Sequence, residues 1–445
     1  MTEPPKSEGA GLAGAGAGNR FREDLDLAAD WAAAYLEGVG NLPVQTRVSP
    51  GDVRASLPAS PPEHGEPFEA MLRDVDTLIL PGITHWNHPR FFAWFANTGS
   101  EPGILAELLI ATLNVNGMTW LASPAATELE QTVLDWLAQL FGLPREWHGH
   151  IEDTASTATI AALAAARTQR SGAVYASAEA NFSVEKAARL LGLEYRKVET
   201  DELFRMRTDF SLDDACAVVA TVGTTGTTSV DSVVELAERC EAAGVWLHVD
   251  AAYAGSAAVC PELRWCLDGC ERADSLVINP HKWFFTPMDC STFWTRRPEA
   301  LHEAFALVPD YLAATQDAVD LKDFGPALGR RFRALKLWFV LRWYGAEGLR
   351  ALIREHVRLA QLFAAWVEAE PDWELVAPHP FSTVCFRHRI VNNHELAAAA
   401  SATGEVFVAA TVLKGVDAIR LAIGNARTTE DDIRRTWEVL CECAP

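Results

Sequence analysis

Apolar residues recur at helical spacing through FREDLDLAADWAAAYLE (residues 21–37), with acids near its start, which predicts an amphipathic helix. A Pro- and Gly-rich stretch runs from Leu42 to Pro67. Fixed φ angles and missing amide hydrogens bar long helices or strands there, so it reads as an extended crossing segment. A second helix is predicted over 68–79 and a third over PGILAELLIATLN. From about Thr127 the pattern changes. The helix ELEQTVLDWLAQLFG leads to DTASTATIAALAAART, where a Ser/Thr-rich turn opens an Ala-rich helix. Short β-branched runs follow (AVYAS, CAVVATVG, VWLHVD, SLVINP, CSTFWT), separated in part by the helical segments FSVEKAARLLG and SVVELAERCEAAG. Strands that are apolar without alternation are buried on both faces, as in a mainly parallel sheet covered by helices. The prediction is an α/β domain.

After Arg333 the chain reads as a long helical stretch, LKLWFVLRWYG and then AEGLRALIREHVRLAQLFAAWVEAE. A smaller α+β segment follows, with strands FSTVCFRHRI and DAIRLAIG and helices HELAAAASATG and TEDDIRRTWEVLCE. The expected division is an unstructured tail over 1–20, a helical and extended segment over 21–100, a large domain over 101–348 and a small domain over 349–445.

A formal net charge of −22 argues against nucleic-acid backbones and anionic membranes as partners. The nine cysteines are scattered, with no CxxC pair and no zinc shell, so free thiols, a reducing compartment and no metal site are expected. GAGLAGAGAGN lacks large apolar residues and a basic segment ahead of it, unlike a signal peptide. No run has the apolar length of a membrane span. A cytoplasmic protein is expected.

Asp250 ends the strand VWLHVD, and Lys282 follows the strand SLVINP closely. Carboxyl ends of parallel strands border the crevice where ligands bind, so this acid and this lysine would face one cleft. A buried lysine has a lowered pKa and acts as an amine nucleophile toward an aldehyde. A carboxylate opposite could keep a pyridinium nitrogen protonated, as a carbanion-stabilising cofactor requires. The start of the helix after DTAST offers backbone N–H groups and hydroxyls for a phosphate, with Ala155 and Ser156 as candidates, and Thr225 in TVGTTG could reach the same pocket. Taken singly, these are ordinary loop acids and helix caps, and His248 reads as a core histidine. The joint arrangement is what points to a site.

HVDAAYAGSAAVCPELR and INPHKW together resemble the group II pyridoxal-phosphate decarboxylases, the aromatic-L-amino-acid decarboxylase family. HPRFFAWF, WLASPAATELE and LGRRFRALKLWFVLRWYG are similar to that family too, and the likeness runs from about residue 21 to the C-terminus. Trp283 after the lysine resembles the aromatic and histidine branch rather than the glutamate branch. The resemblance implies a type I, aspartate-aminotransferase-like fold, with a mainly parallel seven-stranded sheet and a small C-terminal α+β domain, and pyridoxal 5′-phosphate as cofactor. It implies Lys282 as the Schiff-base lysine, Asp250 as partner of the pyridine nitrogen and Ala252 as packing under the ring. Ala155, Ser156, Asn279 and His281 match phosphate-side positions, and Thr225 lies near the ring hydroxyl and the lysine. Trp86, Trp94 and Phe95 match an aromatic wall for the substrate. A tight homodimer is implied, with N-terminal helices clasping the partner and Asn116 and Met118 donated across the interface.

Two positions depart from the family. Asn181 stands where a histidine usually stacks on the ring, and an amide is a poorer proton relay; it also reads as a helix cap. Leu321 aligns with the catalytic tyrosine expected to protonate the α-carbon, and leucine donates no proton. The loop there is shorter, and Tyr311 is a stand-in. The leading expectation is therefore decarboxylation of an aromatic or other bulky L-amino acid to an amine. Oxidative conversion to an aldehyde, ammonia and peroxide is the alternative those two positions raise. A non-catalytic cofactor-binding dimer is a third reading.

Overall fold

The computed structural model describes residues 17–97, 99–307 and 318–444. Contacts divide the chain into two units, one ending at His88 and the other starting at Pro89. The first holds α1 (Ala17–Gly38), α2 (Asp52–Ser56) and α3 (Phe68–Asp74). α1 reaches back to Ala17, so the last residues of the expected tail are helical; the rest of that tail lies outside the described residues. Within this unit Trp31 stacks on Tyr35, and its Nε1 donates to Asp76 at 2.8 Å. The stretch expected to be extended contains only the five-residue α2.

The second unit opens with α4 (Glu101–Leu113) and α5 (Pro124–Phe141), then β1 (His148–Glu152), α6 (Ala155–Gln169), β2 (Ala173–Ser177) and α7 (Phe182–Leu190). Next come β3 (Tyr195–Val198), β4 (Ala215–Thr221), α8 (Val233–Ala243) and β5 (Trp246–Asp250). β6 (Ser275–Ile278), α9 (Pro280–Trp283), β7 (Ser291–Thr295) and α10 (Pro298–Phe305) complete the series. The seven strands form one sheet in the order β1-β7-β6-β5-β4-β2-β3, in which β7 alone runs against its neighbours. The central strands are buried on both faces because helices cover both. Val218, Ala220, Leu247, Val249 and Leu276 pack into a core with α5 and α8, whereas Ala217, Val219, Trp246 and Val277 pack against α6. The unbroken apolar runs of the sequence have that cause.

α11 (Arg333–Ala369) is two helices joined at Gly345, whose φ of 62° breaks the first. β8 (Trp373–Leu375), β9 (Thr383–His388), α12 (Asn393–Ala402), β10 (Ala409–Leu413), β11 (Val416–Ala422) and α13 (Glu430–Cys443) follow. The four strands make an antiparallel sheet, β10-β11-β9-β8, packed on Phe363 of α11 and Ile433 of α13. A capping box between Thr429 and Asp432 starts α13. All nine cysteines are free thiols, and no helix among the described residues is long and apolar enough to cross a membrane.

One buried ion pair ties the segments that lead into the cleft. Glu130 of α5 accepts the Ile151 N–H at 2.7 Å and the Arg330 Nη2 at 2.7 Å. Arg330 also donates to the Ile151 carbonyl at 2.6 Å, and its own amide donates to Asn116 at 2.9 Å. Removing one partner strands the other charge in the core. Glu130→Ala is therefore expected to cost about 3–5 kcal/mol, read as a lowered urea midpoint at constant slope.

Candidate active site

The strand ends converge on a cavity of about 260 Å³. Asp250 is the last residue of β5 and pairs in register with Thr221, the last of β4. β6 ends at Ile278, and the turn through Asn279 into the single helical turn of α9 brings Lys282 to the same cavity. Phe95, Ala155, Ser156, Asn181, Thr225, Asp250, Ala252, Asn279, His281 and Lys282 all line it, so ten of the expected positions meet in one place. A larger open groove of about 760 Å³ runs past Arg205, Asp231, Trp265 and His379, but it carries no lysine. Size alone does not mark the chemistry.

Asp250 is buried and Lys282 partly buried, and each is displaced from its ordinary ionisation. Burial lowers the Lys282 pKa, Asp250 opposes that shift, and Arg420 adds to it. Burial raises the Asp250 pKa against the pull of Lys282 and of the Ala252 N–H, which donates to its Oδ1 at 3.1 Å. His281 is held neutral, its pKa pushed down to about 3 by burial and then by Lys282. Its Nδ1 accepts the Cys290 N–H at 3.0 Å, which leaves the ring proton on Nε2. Asn279 is oriented by the Ser291 hydroxyl, which donates to its Oδ1 at 2.6 Å.

At the opposite end, α6 begins at Ala155 and its N-cap residue Thr154 makes no side-chain cap bond. The first-turn N–H groups are left for an anion. Asn181 is the helix cap and also lines the cavity. Its Oδ1 caps α7 by accepting the Ser183 N–H at 3.0 Å, while its Nδ2 donates to Thr225 at 3.2 Å inside the cavity.

Several expected positions lie elsewhere. Trp94 does not line the cavity; it is half exposed and packs edge-on to Phe407 at 5.3 Å, leaving Phe95 as the aromatic wall. Trp86 belongs to the N-terminal unit. Asn116 and Met118, expected to serve a partner's site, do not line the cavity of their own chain: Asn116 accepts the Arg330 amide, and the Met118 carbonyl accepts the Lys322 amide at 3.0 Å. Leu321 is buried at 1% exposure beside that same segment rather than at Lys282. Tyr311 lies outside the described residues. His248 is a core residue, its Nδ1 2.9 Å from the Ser275 hydroxyl.

The sequence reading missed Thr221, Gly223, Tyr253 and Met288, all of which line the cavity. Thr221 carried a usable signal, since it ends a central strand just as Asp250 does. Its buried hydroxyl has no partner within the described protein, so it suits a ligand. A partly buried amine, a buried acid, an N-terminal helix turn and an orphaned hydroxyl around one small cavity fit a phosphorylated pyridine aldehyde.

This is the arrangement of a lysine-dependent carbanion chemistry on a parallel α/β sheet. The chain belongs to the pyridoxal-dependent decarboxylases: the conserved-domain model of that family matches residues 50–389. Its cofactor is pyridoxal 5′-phosphate, and it is an amino-acid carboxy-lyase. Tyrosine decarboxylase 3 of Petroselinum crispum is 40% identical over 94% of this chain and 91% of that protein. Phenylacetaldehyde synthase of Arabidopsis thaliana is 38% identical over 95% of each. A crystal structure of Oryza sativa TDC with PLP and tryptamine superposes with a TM-score of 0.93 at 34% identity, covering 99% of both chains.

Gly223 has φ +88°, and a Cβ there would stand 2.5 Å from the Ala254 Cβ. Gly223→Ala is expected to displace the turn bearing Thr225, to cost about 1–3 kcal/mol of stability, and to weaken cofactor binding roughly tenfold or more in an absorbance titration.

Proposed function

We propose that this chain decarboxylates an aromatic L-amino acid, with Lys282 as the cofactor-bearing amine and Asp250 as the acid opposite it. The observation that carries the reading is that these two groups share one cavity with the α6 N-terminus. When bound, pyridoxal 5′-phosphate supplies an aldehyde that captures an amine and an electron-poor ring that accepts the electron pair left as carbon dioxide departs. The rest is the work of this chain. Lys282, its ammonium form disfavoured by burial, presents a nucleophilic amine and yields its place to the incoming substrate amine. Asp250 holds a proton at the pyridine nitrogen. The first turn of α6 suits the phosphate. Phe95 and Tyr253, stacked on each other at 3.8 Å, give the cavity an aromatic wall suited to an aromatic side chain. The nearby tyrosine decarboxylase and phenylacetaldehyde synthase favour the same substrate class.

A homodimer completes the reading. Leu105, Leu108, Leu109 and Leu113 make an exposed apolar stripe on α4, and Leu121 is 77% exposed just beyond it. A second copy of this chain would cover that stripe, and Asn116 and Met118 follow it directly. The free thiols suit a reducing, cytoplasmic setting.

A second product is favoured by two observations. Asn181 caps α7 with its carbonyl, so it has no titrating group to offer, and Leu321 is buried away from Lys282. Positions 181 and 321 hold no proton donor, and unless Tyr311 takes that role dioxygen and water would convert the decarboxylated substrate to an aldehyde, ammonia and peroxide. Tyrosine, tryptophan and phenylalanine supplied with and without oxygen decide between the products. Carbon dioxide is expected from at least one; amine alone, unchanged without oxygen, excludes the aldehyde route, and no release from any amino acid by a yellow protein favours the non-catalytic reading. Lys282→Ala is expected to keep its fold and lose all turnover, and Asp250→Asn to lose about 10²–10⁴ in kcat in the same assay.

A further inference from the structure

Arg420 of β11 contacts none of the reacting groups named above, yet it is a buried cation with no anion beside it among the described residues. Its side chain is 4% exposed, and Nη1 alone is bonded, donating to the Trp94 carbonyl at 2.7 Å. Nε and Nη2 are buried without a partner among the described residues. The other titratable groups that face it are Cys385 of β9 and Tyr253. Burial pushes the Cys385 thiol up to about 11 and raises the Tyr253 phenol, so neither supplies a negative charge near neutral pH. An unpaired buried charge is costly, and it persists only where the surroundings hold it.

What surrounds it leads to the site. The guanidinium lies 4.3 Å from the centre of the Phe95 ring, and the Lys282 Nζ lies 5.4 Å from the same centre. The two cations are therefore within about 10 Å of each other beside one aromatic ring. Phe95 stacks on Tyr253, which stacks in turn on Trp283 at 5.0 Å, the residue after Lys282. Trp94 is held at φ 51°, a left-handed conformation that a bulky side chain adopts only under constraint. The hydrogen bond from Arg420 falls on its carbonyl, at the peptide that aims Phe95 into the cavity.

We propose that Arg420 is a positioning residue: it holds Phe95 as the cavity wall, and its unpaired charge acts across that ring on the Lys282 amine. The inference rests on Lys282 being the cofactor-bearing amine. A positive charge nearby disfavours a second one, so the nitrogen of Lys282 loses its proton at lower pH when Arg420 is present. Arginine is needed for the positioning role because its planar fork can bond a carbonyl and lie flat on a ring together.

The test uses the pyridoxal 5′-phosphate-loaded protein without substrate, with the bound cofactor's visible absorbance titrated against pH. Arg420→Gln is expected to raise the midpoint by about one unit, the size of a unit charge at that distance near a protein interior. Arg420→Lys keeps the charge and loses the fork. It should leave the midpoint within a few tenths of wild type while raising KM for an aromatic amino acid roughly fivefold or more, with kcat changed less. An unmoved midpoint in Arg420→Gln, or a lysine variant with wild-type KM, would overturn the proposal. If Arg420→Gln does not fold, the lysine variant decides: an unmoved midpoint with raised KM supports the role, and a shifted midpoint or unchanged KM overturns it. Wild-type protein that takes up no pyridoxal 5′-phosphate would overturn the cofactor reading of Lys282 itself, before Arg420 is reached.

Discussion

Bringing an acid and an amine to the wall of one cavity, out of most of their solvent, is the constraint on which the rest of this structure depends. Neither Asp250 nor Lys282 would be retained there for stability, since each loses hydration that its neighbours replace only in part. The sheet imposes the arrangement. Asp250 is fixed by the register of β5 between β4 and β6, and those strands are clamped by apolar cores on both faces. Rigid packing converts the unfavourable burial into shifted ionisation, with a lysine less ready to be charged and an acid waiting for a positive partner.

Most of the large sheet was legible because its central strands are apolar on both faces. The strands that escaped reading are edge or outer ones. β1 carries His148, His150 and Glu152, and β3 carries Arg196 and Lys197, so neither presents an unbroken apolar run. Polar residues are common at sheet edges, where one side has no strand to pair. β8 and β10 were hidden for a related reason, since they are short outer strands of the small sheet.

The site divides along similar lines. Positions at strand ends or helix starts, such as Asp250, Lys282 and Ala155, follow from the order of strands and helices along the chain. Positions whose role depends on a long-range contact do not. Trp94 and Phe95 are adjacent and both aromatic, and a left-handed turn sends only Phe95 to the cavity. Arg420 is 326 residues from the carbonyl it binds, and nothing in the run DAIRLAIG marks it as more than a strand residue. Leu321 reads in the sequence as a substitution inside the site, whereas its buried place beside Met118 removes it from the Lys282 cavity of its own chain.

The central claim concerns one covalent attachment point, and it can be read directly. Borohydride reduction of the pyridoxal 5′-phosphate-loaded protein, followed by proteolysis and mass mapping, locates the lysine that carries the pyridoxyl group. The account predicts a single modified position, Lys282, in the peptide that follows β6. Label fixed on another lysine, or none retained at 282, would contradict it.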